Sequence, residues 1–128
     1  MSRRIILTAS LFGVTAVILG AFGAHSLKNA LSAGSLEIWT KGVEYQFYHT
    51  FALLFLSQYA ANDDKLLKWS YRFFTLGILL FSGSLYLLAT RELLNIGFVS
   101  YIGPVTPFGG LCFILGWLFL FLSALKRK

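Results

Sequence analysis

Charge is scarce in this chain: 12% of its 128 residues are Asp, Glu, Lys or Arg, against 57% hydrophobic residues, and the mean hydropathy is +0.73. A soluble domain of this length has no core large enough to hide so much apolar surface, which excludes that class and makes lipid the solvent. Cysteine is nearly absent. Cys112 stands alone inside an apolar run, so an intrachain disulfide and a thiolate zinc cluster are both excluded, and the residue reads as small packing material. Acidic residues number only five against eleven basic ones, a net charge of +6. The basic residues lie in short segments between apolar runs and never form an amphipathic or aromatic-interleaved patch, which argues against nucleic acid as a partner and for the flanks of membrane spans. Low-complexity tracts and linkers are lacking too, so the chain reads as a single integral membrane domain over residues 1–128.

A bilayer core of about 30 Å needs roughly 20 apolar residues in a helix. Four segments meet or approach that length, at about 5–24, 43–61, 69–89 and 106–125. The apolar run of the first exceeds the usual ~7–15 residues of a secretory signal core, and it reads as a retained span. Cytoplasmic loops retain Lys and Arg. Arg3, Arg4, Lys65, Lys68, Arg72, Lys126, Arg127 and Lys128 fall at the two ends and the middle loop, against Lys28, Lys41 and Arg91 in the other two loops. The expected fold is therefore all-α: a four-helix transmembrane bundle with both termini cytoplasmic. Residues 25–42 are too long for a tight turn and are expected to hold a short interfacial helix, with Trp39 at headgroup level. The short charged loop at 62–68 predicts an antiparallel hairpin of the second and third spans.

Helix association in lipid relies on close backbone approach at small residues. Ala9, Gly13, Ala16, Gly20 and Gly23 form one such stripe, and Gly109, Cys112, Gly116 and Ser123 another. These mark the first and fourth spans as the expected centre of the bundle, or one stripe as a homodimer contact. At the start of the fourth span Thr106 suits the N-cap and Pro107 the first helical position. The Gly109–Gly110 pair would let another chain or a ligand approach the backbone.

The polar residues near the spans concentrate in the external half: His25 at the end of the first, Glu44, Tyr45, Gln46 and His49 in the second, Ser82, Ser84 and Tyr86 in the third, Thr106 opening the fourth. Ionisable groups at such depth are costly, which makes this set the candidate polar pocket. Glu44 shares a helical face with Tyr48 and Phe51, His49 with Tyr45 and Gln46, and the two are about 140° apart on one helix. They cannot easily ligate one ion together, and the Glu-x-x-His spacing of carboxylate-bridged bundles is missing. No haem-attachment motif or nucleophile elbow occurs, so no metal, no cofactor and no catalytic residue is expected. Structural roles are expected for His25 as a helix-end cap and for His49 as a partner of Ser82, Ser84 or Tyr86. Glu44 is expected to pair with Lys41 or with amides opening the fourth span.

The strings Gly20-Ala-Phe-Gly-Ala-His25, Trp39-x5-Tyr45-Gln-x2-His49, Phe81-Ser-Gly-Ser-Leu-Tyr86, Gly103-Pro-x-Thr-Pro-x-Gly-Gly110 and Gly116-Trp117 cover nearly the whole chain in order. Together they resemble domain-of-unknown-function family 423, the YwdK/YgdD-like small membrane proteins. The resemblance implies a four-helix protein of the bacterial plasma membrane and supplies no reaction, substrate or cofactor. The leading expectation is a non-enzymatic accessory or binding protein. It would engage lipid, a membrane protein complex or a second copy through the external-leaflet pocket. A solute or proton transporter built as an oligomer is one alternative, although the cytoplasmic halves of the spans offer few polar partners. A quinone- or haem-associated redox protein is the other.

Overall fold

A computed structural model of the protein describes residues 1–60 and 64–127, and all regular elements among them are helical. The expected end of the second span at Ala61, part of the loop after it, and Lys128 lie outside the described residues. Helix α1 (Ser2–Phe22) runs on through a π turn at Gly23–Leu27. Helix α2 spans Ala33–Tyr59. Helices α3 (Lys65–Gly77) and α4 (Gly83–Thr90) are joined without a break by a second π turn at Ile78–Ser82. A 3₁₀ segment at Gly97–Ile102 leads into α5 (Val105–Lys126). Three of the resulting rods, Ser2–Leu27, Lys65–Thr90 and Gly97–Lys126, are long and apolar enough to cross a membrane by length and composition.

Helix α2 has the length, at 27 residues, but is not among those three. Glu37, Lys41, Glu44, Gln46 and His49 dilute its apolar content, and several of its polar side chains are turned inward: Gln46, His49, Thr50 and Ser57 are all buried. The polar helix therefore sits in the middle of the molecule, where other helices satisfy it. Beside it stands the Lys65–Thr90 rod, with α1 packed along α2 and α5 along α3. Phe74, Leu53, Leu56, Leu67 and Ile5, all fully buried, fill the space between them.

Both small-residue stripes are used, though not to bring α1 and α5 together as expected at the centre. A Cβ on Gly20 would meet Val43 at 3.4 Å and one on Gly23 the Trp39 ring at 2.6 Å, so the α1 stripe faces α2. On α5, Gly116 faces the Phe74 ring at 2.6 Å and Gly109 faces the backbone of Phe81 at 2.4 Å, so that stripe faces the α3–α4 rod. Each of these glycines admits a side chain or a main chain from a neighbouring helix into the space that its missing Cβ leaves.

Three further expectations differ from the structure. No separate interfacial helix forms between the first two rods; residues 33–42 are the first turns of α2, capped by Ser32, whose hydroxyl accepts from the Ser35 amide at 3.2 Å. Gly42 does not interrupt it, because the Tyr86 ring fills the space that a Cβ would take. Trp39 is packed inside the protein, 6% exposed, instead of standing free as an anchor, its indole N–H donating to the Leu19 carbonyl at 2.9 Å. Finally, α5 begins at Val105 after Pro104, which makes no side-chain cap, and Thr106 is the second helical residue. Its hydroxyl is engaged by another helix.

One end of the molecule gathers Met1, the end of α2 at Tyr59, Asp64 before α3, and Arg127. Asp64 caps α3 by accepting from the Leu66 and Leu67 amides at 2.9 and 3.3 Å, and its other oxygen accepts from the Ser123 hydroxyl at 2.5 Å. Burial pushes the Asp64 carboxyl up, but the Ser123 hydroxyl, the two amides and the Arg127 charge together hold it below the usual carboxylate range. The Arg127 guanidinium lies 4.0 Å over the Tyr59 ring. Arg3, Arg4, Lys68 and Arg72 border one groove at this end.

Candidate functional site

The nine residues singled out from the sequence do not form one pocket. Seven of them separate into three hydrogen-bonded groups, each joining two or more helices, and two stand apart.

In the first group, the buried Gln46 side chain on α2 ties three helices. Its amide donates to the Phe12 carbonyl at 2.9 Å and to the Thr15 hydroxyl at 2.8 Å on α1, while its oxygen accepts from the Tyr86 hydroxyl on α4 at 2.6 Å. Thr15 passes its own proton back to the Leu11 carbonyl at 3.0 Å. Both donors and one acceptor of the amide are engaged, which fixes the orientation of the group.

The second group lies where α4 begins. Ser82 donates to the Gly42 carbonyl at 2.7 Å, and Ser84 donates to the Phe81 carbonyl at 2.8 Å. Because the one Ser84 proton is committed, the 2.7 Å contact with Thr106 has the threonine as donor. Thr106 thus joins α5 to α4 instead of capping its own helix.

His49 and Tyr45 form the third, with aromatic neighbours. The imidazole stacks on Phe113 with centroids 3.5 Å apart and planes within 8°. Its Nδ1 lies 2.8 Å from the Tyr45 carbonyl and its Nε2 lies 3.2 Å from the Trp117 indole nitrogen. A carbonyl can only accept and an indole N–H can only donate, so His49 is a neutral imidazole with the proton on Nδ1. Both nitrogens are occupied, which leaves no lone pair for a metal or haem iron. The Ser82, Ser84 and Tyr86 partners expected for His49 belong to the other two groups. Tyr45 packs against Phe81 at a centroid distance of 4.8 Å and sends no hydrogen bond into the site.

Glu44 and His25 stand apart. Glu44 pairs with Lys41 at 3.3 Å on the outward face of α2, beside the exposed Tyr48 and Phe51, one of its two expected partnerships. His25 is exposed in the π turn after α1 and joins none of the three groups. Among the described residues no group of three or more His, Cys, Asp or Glu is arranged to hold a metal ion.

Chemically these groups act as clamps. Apart from that of Tyr45, every hydroxyl proton in them goes to a carbonyl, an amide or another hydroxyl within the protein, and no serine is paired with a base. Sequence reasoning missed Thr15 and Trp117, which complete the Gln46 and His49 groups, and Phe113, on which the imidazole stacks. Trp117 carried a signal, as the last residue of a shared string, but no spacing rule pairs it with a residue 68 positions away. Buried serines also occur in the half expected to lack polar partners: Ser57, Ser70 and Ser123 are buried, donating to the Leu54 carbonyl, the Gly116 carbonyl and Asp64.

One groove opens beside the first clamp. It has a volume of about 310 Å³, lies between α1 and the Ile78–Tyr86 stretch, and has Thr15, Gln46 and Tyr86 among the apolar residues Leu11, Leu79 and Gly83.

Residues 19–110 match the family described as protein of unknown function (DUF423). The chain is 40% identical to a UPF0382 membrane protein of Staphylococcus saprophyticus over 94% of this chain and 96% of that one. It is 38% identical to the UPF0382 inner membrane protein YgdD of Escherichia coli, over 99% and 93% of the two chains. Identity to the UPF0382 membrane protein YwdK of Bacillus subtilis is 35%, over 94% and 95%. No solved structure matches the chain. With a family match across most of its length and relatives similar end to end, the chain belongs to the DUF423 family of membrane proteins, alongside YgdD and YwdK.

Proposed function

We propose that this protein is a non-enzymatic accessory component of a membrane protein complex, and that it seats a transmembrane helix of its partner in the groove beside Gly83. The observation that carries this reading is the position of that glycine. A Cβ added to Gly83 would meet nothing within 4 Å, although the residue lies in a continuous helix, where glycine costs about 1 kcal/mol relative to alanine. Gly77, Gly109 and Gly116 each admit a neighbour from within the chain; Gly83 admits none. In lipid, an unfilled small-residue notch is where the backbone of another helix can approach closely. The Thr15, Gln46 and Tyr86 side chains bordering it would supply polar contacts of the kind that tie helices together.

The same reading takes α2 as a fourth span and both termini as cytoplasmic. It is supported by the inward polar face of α2 and by the grouping of Arg3, Arg4, Lys68, Arg72 and Arg127 at the end with the termini. Transport draws less support, since the buried polar residues are mutually bonded clamps and do not continue as a chain.

Native mass spectrometry of the protein purified in mild detergent from its own membrane tests this. A stoichiometric membrane protein is expected to remain bound and to be lost on Gly83→Leu, which fills the notch without touching the core. Recovery of the bare chain, or of a self-association untouched by that substitution, would overturn the proposal.

A further inference from the structure

At the end that holds the chain termini, we propose a second site: the groove between α1 and α3 binds the phosphate headgroup of an anionic phospholipid. Arg3 and Arg4 from α1 face Lys68 and Arg72 from α3 across a groove of about 590 Å³, and among the described residues that line it there is no carboxylate. The two walls are held together at its floor. Thr8 donates its only hydroxyl proton to the Arg4 carbonyl at 3.0 Å, so the Tyr71 hydroxyl is the donor in the 2.8 Å bond between α3 and α1. The Arg72 guanidinium lies 4.9 Å from the Trp69 ring centroid, a contact that holds the charge beside the groove.

Arginine forks match phosphate oxygens, and basic pockets between helices at a membrane surface are suited to acidic lipid heads. A soluble anion would use the cations alone. Below them, however, Leu7 lines the groove, and Leu7, Leu11 and Val14 continue down α1 at 61%, 64% and 58% exposure. Cations at the top of an exposed apolar strip match a phosphate carrying acyl chains, and this selects lipid as the occupant. The headgroup groove shares no lining residue with the groove at Gly83, although Leu11 of the apolar strip borders both, and the charge contacts do not depend on it.

The test titrates the detergent-purified protein with dioleoyl phosphatidylglycerol and, separately, dioleoyl phosphatidylcholine, counting adducts by native mass spectrometry. Phosphatidylglycerol is expected to bind first, and Arg4→Gln with Arg72→Gln to weaken it by about fivefold per charge. Lys126→Gln with Arg127→Gln, which removes as much charge outside the groove, is expected to leave binding unchanged. Detergent removes any effect of the substitutions on insertion. If the arginine pair does not fold, Arg72→Gln alone, expected at about fivefold, decides the same question. Equal binding of the two lipids, equal loss in both charge pairs, or displacement of the lipid by millimolar inorganic phosphate would overturn the assignment.

Discussion

Glycines at the helix contacts show how much a single missing Cβ decides. At Gly109 the added atom would lie 2.4 Å from the Phe81 nitrogen and 2.7 Å from its Cα, and a main chain in a continuous helix cannot give way. Gly109→Ala is expected to separate α5 from the π turn and to destabilise by at least the ~1–3 kcal/mol typical of overpacking. At Gly34 an added Cβ meets nothing within 4 Å, and Gly34→Ala is expected to be neutral or to stabilise by up to about 1 kcal/mol through helix propensity. Thermal melts of the two variants in the same detergent check the contrast; equal melting temperatures would refute it. At the same scale, the His49 tautomer follows from two fixed partners, a carbonyl and an indole.

At the level of elements, the π turns and caps are where local sequence meets tertiary demand. The Ile78–Ser82 turn lies where Gly109 meets the Phe81 backbone and where Ser82 reaches the Gly42 carbonyl. The end of α4 is closed by Asn95 at φ 53°, with Ile96 N–H bonded to the Arg91 carbonyl at 2.9 Å and Asn95 N–H to Glu92 at 3.2 Å, a Schellman closure. The start of α3 depends on Asp64, whose folded pKa lies below its unfolded value. Its contribution is therefore fully present above about pH 4, the ordinary carboxylate value, and is lost as pH falls through the lowered folded value. Asp64→Ala is expected to cost about 1 kcal/mol at neutral pH and to lose part of the acid sensitivity. Melting temperatures from pH 7 to pH 2.5 for the two proteins check this; parallel curves would show that the cap does not titrate as described.

For the whole molecule, the topology is the expectation with the widest consequence. Single cysteines placed at Ser2 and at Glu92 in a Cys112→Ala background are expected to react oppositely with a membrane-impermeant maleimide on intact cells: Glu92→Cys labelled, Ser2→Cys protected until lysis. The reverse pattern would invert the orientation, and labelling at both would mean that an even number of spans separates them, not the three of the proposed topology.

Hydropathy and composition by themselves determined that this is an all-helical membrane protein, because burial in lipid requires long apolar runs with internally satisfied backbones. Shared strings along the chain were enough to identify its family. Helical spacing also separated the outward Glu44 face from the inward His49 face, since both lie on one helix. Tertiary structure alone decided the rest. Gln46 bonds to Phe12, Thr15 and Tyr86, Thr106 bonds to Ser84, and Trp117 meets His49, each across tens of residues in sequence. Which small-residue stripe faces which ring is likewise absent from any one helix, because periodicity gives the direction of a side chain about its own axis and says nothing of the helix it will meet.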